Sequence, residues 1–198
     1  MIRRAFDLAV AAAALALSAP LLAVAVIAIR LESPGAAIYR QRRVGRHGAQ
    51  FEVRKLRTMV AGAERMGAGI VVDVGDARIT RVGALLRRTS LDELPNLINV
   101  LRGEMSIVGP RPTVPEQVVH YTEHQRRRLE VKPGITGWAQ VNGRTSLPWS
   151  ERIELDIYYV DHRSLALDAR ILARTVRVLL HGGGLYGGDT GGWDGPAM

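Results

Sequence analysis

Residues 8–29 read LAVAAAALALSAPLLAVAVIAI, 22 positions without a charge between Asp7 and Arg30. Wound as an α-helix, the stretch reaches about 33 Å at about 1.5 Å per residue, the thickness of a bilayer's hydrocarbon core. Three topologies compete for it. A cleaved signal peptide is favoured by Arg3-Arg4 and by the small residues at Ser18-Ala19, but the apolar run continues well past a normal cleavage region. A spanning helix must leave one flank outside. Yet Arg3 and Arg4 precede the run, and Arg30, Arg40, Arg42, Arg43, Arg46, Arg54, Lys55 and Arg57 follow it, so both flanks ask for the cytoplasmic side. Pro20 removes one i to i−4 hydrogen bond near the middle and predicts a kink, and Ser18 can satisfy a freed carbonyl. A re-entrant helix broken at Ser18-Ala19-Pro20, which dips into the bilayer and returns to the same face, satisfies both basic flanks and is the preferred reading. A Pro-kinked spanning helix is the plain alternative.

Outside this segment the chain is polar and basic. Its 198 residues suffice for one core and are too few for two ordinary domains. Lys and Arg number 27 against 19 Asp and Glu, a formal charge of +8 that suits nucleic acid, anionic lipid or a phosphate-bearing substrate. The basic residues gather around the apolar run and no nucleic-acid motif appears, so a nucleic-acid partner is not expected. The lack of cysteine excludes disulfide scaffolds, thiol catalysis and Cys-based zinc sites, leaving carboxylates to do any metal chemistry. No His-Glu-x-x-His, GxxxxGK[ST] or GxGxxG pattern is present, which argues against zincins, P-loop enzymes and Rossmann dehydrogenases.

From Glu32 to Val60 the chain reads as a Ser33-Pro34-Gly35 turn followed by extended segments around Ile38-Arg40 and Phe51-Val53, separated by a polar turn at Gly45-Gly48. Residues 61–79 read as a loop with one short helix. In Ser90-Leu91-Asp92-Glu93-Leu94-Pro95, Ser90 or Asp92 is suited to cap a helix, and Pro95 to sit in its first turn. Leu94, Leu97, Ile98 and Leu101 follow at i, i+3, i+4 and i+7, an apolar stripe for the core, with Gly103 as the stop. Asp92-Glu93 is then either a capping pair or a chemical one. Met105-Val108 reads as a strand leading into Gly109-Pro110-Arg111-Pro112, whose two prolines stiffen the backbone around a guanidinium. That suits a fork aimed at phosphate oxygens, or equally an arginine salt-bridged in a tight turn. The Lys132 to Arg144 stretch, rich in Gly and amides, reads as a loop that brings backbone N–H groups to a phosphate, or as a plain connection around a buried Trp138. Trp149 to Tyr159 reads as a helix in which Asp156 needs a partner. Leu165 to Leu180 reads as an amphipathic helix with Arg170, Arg174 and Arg177 away from its apolar face. Gly182 to Gly195, eight glycines in fourteen residues, reads as a flexible tail.

Several long motifs in order resemble one family. Lys55-Leu56-Arg57-Thr58-Met59, Ser90-Leu91-Asp92-Glu93-Leu94-Pro95, Asn99-Val100-Leu101-Arg102-Gly103-Glu104-Met105-Ser106, Gly109-Pro110-Arg111-Pro112 and the Lys132 to Arg144 block, behind the apolar segment, are similar to the bacterial sugar transferases. These are small monotopic phosphoglycosyl transferases, and the likeness extends to the type that primes N-linked protein glycosylation. The resemblance implies transfer of a sugar 1-phosphate from a UDP-sugar to undecaprenyl phosphate with release of UMP, the first membrane step of glycoconjugate biosynthesis. It implies Mg2+ as cofactor, Asp92 as the nucleophile that forms an aspartyl-phosphosugar intermediate and as a metal ligand, and Glu93 as its catalytic partner. By the same likeness Lys55, Arg87, Arg111, Arg144 and Asp156 are substrate-binding positions. A carboxylate at a helix N-terminus is favoured in its ionised form, which suits this chemistry.

The implied fold is α/β: an irregular mixed α/β membrane-associated domain with an N-terminal re-entrant membrane helix (1–31), a catalytic domain (32–181) with amphipathic interfacial helices, and the tail (182–198). The implied place is the bacterial inner membrane, monotopic, with the active site on the cytoplasmic face. There a soluble donor meets an isoprenoid phosphate, and the basic groups near Arg40–Arg46 attract anionic lipid and the acceptor phosphate. The helix break departs from the family pattern, in which Ser directly precedes Pro; here Ala19 does, with Ser18 one residue earlier. N-acetylated, diacetamido-trideoxy, glucose and galactose donors all fit, and a homodimer would use surfaces other than the extra domains of larger relatives. The alternative function is a non-catalytic membrane-anchored binding module in which Asp92-Glu93 only caps a helix. Asp92→Asn separates the two.

Overall fold

The computed structural model describes residues 2–66, 75–143 and 146–181. The apolar segment forms helix α1, Ile2–Glu32, which runs on through Pro20. The helix is therefore not ended at Ser18-Ala19-Pro20, where a break is expected. Proline costs the ladder one N–H, and the Ser18 hydroxyl donates to the Ala14 carbonyl at 2.7 Å, the i−4 back-bond that bends helices without ending them.

One stripe of α1 packs on the rest of the protein along both its ends. Near the N-terminus, Ala11 joins a core built from Val53, Leu97, Val100, Met105, Val108, Tyr159 and Ile171. Near the C-terminus, Ala25 and Ile29 join a second core with Ala37, Leu56 and Leu86. Polar clamps reinforce each end. The buried Asp7 carboxylate accepts from the Ser106 hydroxyl and the Ile107 N–H, while Arg4 donates to the Val100 and Leu101 carbonyls. At the other end Glu32 accepts from the N–H groups of Arg81 and Val82. Leu17, Leu21, Val24, Ile27 and Leu31 on α1 face away from the protein and are exposed.

The expected hairpin is present and longer than its apolar runs. Strands β1, Ile38–Val44, and β2, Gln50–Leu56, pair antiparallel from Ile38↔Leu56 to Val44↔Gln50. Alternation puts Tyr39, Gln41 and Arg43 on the same face as Val53 and Lys55. Only a short 3-10 turn, Ala63–Arg65, is seen in the described part of 61–79, and residues 67–74 lie outside the described residues. Helix α2, Arg81–Arg88, follows, capped by the Thr80 hydroxyl and lying so close to the chain at Thr58 that a Cβ on Gly83 would sit 2.0 Å from the Thr58 carbonyl oxygen.

The next segment differs from its sequence reading in two respects. Leu91–Asn96 is a 3-10 helix, and α-helix α3 begins only at Leu97, ending at Arg102 with Gly103 left-handed (φ 82°) as expected. Neither Ser90 nor Asp92 caps through its side chain; Ser90 itself is left-handed (φ 56°), a strained state for a non-glycine residue. The 3-10 start also rotates the inward face. Val100, Leu97 and the amides Asn96 and Asn99 are buried, Leu94 and Ile98 are half-buried, and Leu101 is exposed. The amides face inward because they complete β2. Asn96 Oδ1 accepts from the Arg54 N–H at 2.9 Å and Asn99 Nδ2 donates to the Glu52 carbonyl at 2.7 Å, satisfying the strand edge that β1 does not cover.

Strand β3, Ser106–Val108, pairs in parallel with β4, Gly134–Thr136. Between them lie α4, Pro115–Val118, and α5, Glu123–Arg126, the latter with a Thr122/Gln125 capping box. The Lys132 stretch is thus a strand rather than a loop. It continues into a helical turn, α6, Trp138–Val141, where Trp138 is half-buried and stacks on Tyr158 with ring centroids 5.8 Å apart. Helices α7, Trp149–Asp161, and α8, Leu165–His181, close the described chain. On α8, Leu167 and Ile171 pack inward and Leu165, Val176, Leu179 and Leu180 are exposed, so its apolar arc is only partly covered by protein. The glycine-rich tail lies outside the described residues.

Candidate active site

The Asn96 and Asn99 contacts fix the 3-10 segment against β2, and this sets Glu93 beside Lys55. Lys55 Nζ donates to Glu93 Oε1 at 2.7 Å, and Arg111, presented by the stiff Pro110-Arg111-Pro112 turn, donates to the same oxygen at 2.8 Å. The two cations hold the Glu93 carboxyl well below the usual carboxylate range against the opposing effect of burial. Burial in turn lowers the Lys55 ammonium, partly offset by Glu93.

Asp92 is half-buried and has no hydrogen bond or ion pair among the described residues. Burial first, and the neighbouring Glu93 charge second, push its carboxyl up to about 6, with Lys55, Arg87 and Arg111 pulling the other way. This corrects the expectation that a helix N-terminus would favour its ionised form, because the 3-10 start offers no capped helical end. Arg87 approaches from α2 and donates to the Thr58 hydroxyl at 2.7 Å; the close Gly83 contact one turn earlier sets that position.

Asp92, Glu93, Lys55, Arg87 and Arg111 thus converge. Asp156 does not join them at the surface. It is buried on α7 and paired with Arg128, the side chains being 2% and 4% exposed, and Arg128 also donates to the Arg111 carbonyl at 2.9 Å and the Tyr121 hydroxyl at 2.6 Å. Asp156 therefore supports the turn that carries Arg111 from behind. Arg144 lies outside the described residues. Arg128, Asn96 and Asn99 are the site-building residues that sequence reasoning missed, while Arg43 enters it only as one of the basic groups near Arg40–Arg46. Only the amides left a signal, polar residues three apart in an otherwise apolar helix.

The donor set suits a hard divalent cation. Asp92 has a carboxylate without a partner and Glu93 keeps Oε2 uncommitted, and Mg2+ commonly takes one or two carboxylates and completes its shell with phosphate oxygens and water. Among the described residues no cluster of three or more His, Asp or Glu forms a cage.

Comparison with known proteins finds a family model described as bacterial sugar transferase that matches residues 1–182. An uncharacterized sugar transferase, EpsL, of Bacillus subtilis is 43% identical over 180 residues, covering 91% of this chain and 88% of its own length. A UDP-glucose:undecaprenyl-phosphate glucose-1-phosphate transferase of Caulobacter vibrioides is 45% identical over 194 residues, 90% of this chain and 69% of the relative. A UDP-N-acetylgalactosamine-undecaprenyl-phosphate N-acetylgalactosaminephosphotransferase of Aeromonas hydrophila is 40% identical over 189 residues, and there the chain spans only 44% of the relative's length.

Proposed function

The chain belongs to the bacterial sugar transferase family, and from that premise we propose that it transfers a sugar 1-phosphate from a UDP-sugar to undecaprenyl phosphate through a covalent intermediate on Asp92. The observation that carries this reading is the contrast within the dyad: Glu93 is locked by two cations, while Asp92 lies free beside them. An Asp92 carboxylate oxygen attacks the sugar-bearing phosphorus, the bond from that phosphorus to the oxygen of UMP breaks, and UMP leaves with the electron pair. An oxygen of the lipid phosphate then attacks the same phosphorus and Asp92 is released, so the sugar's anomeric bond is never broken. Lys55, Arg87 and Arg111 offset the repulsion between an anionic nucleophile and a pyrophosphate. Asp92 and Glu93 would hold Mg2+, which supplies Lewis-acid stabilisation of the phosphoryl oxygens.

The anchoring of α1 supports a monotopic, re-entrant placement on the cytoplasmic face of the inner membrane. Asp7 and Glu32, 25 positions apart, are both hydrogen-bonded to the same polar domain, and a helix crossing the bilayer would pull one of them through it. The uncovered apolar arcs of α1 and α8 suit lipid contact. Relatives of comparable identity carry glucose and N-acetylgalactosamine names, so the donor is read as a UDP-sugar without choosing the sugar.

The test is UMP release across a panel of UDP-sugars with undecaprenyl phosphate and Mg2+, joined to mass spectrometry of enzyme mixed with donor alone. The expected result is a phosphosugar adduct on Asp92, and in Asp92→Asn loss of both adduct and turnover by at least about a thousandfold. Turnover retained by Asp92→Asn overturns the covalent reading, and a wild type that releases no UMP from any donor leaves the binding-module alternative.

A further inference from the structure

The site contains a cation that the dyad does not use. The hairpin register places Arg43 on the face of β1 that carries Tyr39 and Gln41, across from Phe51 and in line with Lys55 on β2. From there it donates to the Pro112 carbonyl at 3.3 Å, next to Arg111, and to the Gln41 side chain. Among the described residues no carboxylate lies within ion-pair distance of it. Glu93 is taken by Lys55 and Arg111, Glu64 by the Tyr39 hydroxyl, and Glu116 attracts Arg43 only from a distance. Burial and the like charge of Arg111 bring its guanidinium down to about 10, still charged at neutral pH. A half-buried guanidinium that meets only neutral acceptors, beside a second one, is uncompensated, and an anion placed between them relieves both the desolvation and the repulsion.

We propose that Arg43 is a further substrate-binding residue, which with Arg111 grips a phosphate oxygen of the phosphorylated substrates. This rests on the reading of the site as a phosphosugar transferase and adds a contact to it. The ligand chemistry is a phosphate ester anion, available from the donor pyrophosphate or from the lipid phosphate. Gln41 and the Pro112 carbonyl aim the fork, so the position calls for arginine rather than for positive charge alone.

The experiment compares wild type with Arg43→Gln, Arg43→Lys and Arg42→Gln, the last removing a charge from the opposite face of the same strand. KM is measured separately for UDP-sugar and for the polyprenol phosphate, with the donor half-reaction followed as single-turnover UMP release without lipid. Arg43→Gln is expected to raise one KM by about tenfold or more, as for a lost charge-assisted hydrogen bond, while kcat changes less and the unfolding midpoint holds within about 2 °C. Arg43→Lys is expected to recover part of that loss. A raised donor KM assigns the contact to the pyrophosphate and a raised acceptor KM assigns it to the lipid. Unchanged KM values, a fall in kcat alone, or equal and salt-sensitive losses in Arg42→Gln and Arg43→Gln overturn the inference, the last pointing to general attraction toward anionic lipid. A wild type that releases no UMP from any donor would instead defeat the underlying reading.

Discussion

Two carboxylate–arginine groups lie one behind the other in this protein, and they are built to opposite ends. In the rear group Asp156 and Arg128 face each other inside the fold, and the guanidinium spends its remaining bonds on Tyr121 and the Arg111 carbonyl. The atoms left over, Arg128 Nε and Asp156 Oδ1, are themselves buried. In the front group the cations converge on Glu93 and leave its neighbour Asp92 open. Burial pushes both aspartates up, but only Asp92 combines that cost with access. The lesson is that a raised carboxyl alone does not mark chemistry: the rear one is closed inside a pair that supports shape, while the front one stays open, as the proposed reaction requires.

The sharpest way to break this comparison is to remove one member of the rear pair. Arg128→Met leaves the Asp156 carboxylate buried without its cation and is expected to cost about 3–5 kcal/mol of stability in denaturant titration. The double variant Arg128→Met/Asp156→Leu is expected to recover most of it, because both desolvation costs vanish together. If the double variant is as unstable as the single one, the rear group does more than satisfy itself.

A smaller effect tests the front group by pH. In the proposed mechanism Asp92 must be ionised to attack, and its carboxyl lies at about 6, so kcat/KM is expected to fall about tenfold per pH unit below that value and to level off above it. A limb centred near 4 would mean that burial does not raise the nucleophile. The smallest effect concerns stability. A carboxyl raised from 3.8 to about 6 in the folded state destabilises the fold where it is ionised: the penalty is absent below the unfolded value, grows as pH rises toward about 6 and is complete above it. Asp92→Asn is therefore expected to be more stable than wild type by about 1–2 kcal/mol at pH 8, a figure discounted for partial exposure, and the difference should disappear near pH 4. An inactive variant with no gain in stability would separate Asp92's reactivity from its burial.

Much of this arrangement is legible in the sequence. The uncharged run, the hairpin, the strand before Gly109-Pro110-Arg111-Pro112 and the stop at Gly103 follow from local rules of hydropathy, alternation and backbone restriction. The narrower likeness to the N-glycosylation-priming type has no counterpart in the glucose and N-acetylgalactosamine names of the relatives described above. The α3 stripe differs from its sequence reading for a specific reason. Periodicity assigns the inward face to leucines, but β2 presents an open hydrogen-bonding edge there, and two asparagines outbid Leu101 for it. The cap at Ser90 or Asp92 failed because a left-handed Ser90 and a 3-10 turn replace the regular helical start.

By itself the chain determined a membrane-length segment, the order of its elements and the residue types that can handle phosphate, since each depends on neighbours a few positions away. The pairing of those residues depends on partners tens of positions distant: Lys55 and Arg111 on Glu93, Arg128 on Asp156, Arg43 beside Pro112, and Asp7 and Glu32 on one domain. Charge compensation and desolvation act through space rather than along the chain. Only the folded molecule could decide which carboxylates are committed to ion pairs and which is left open.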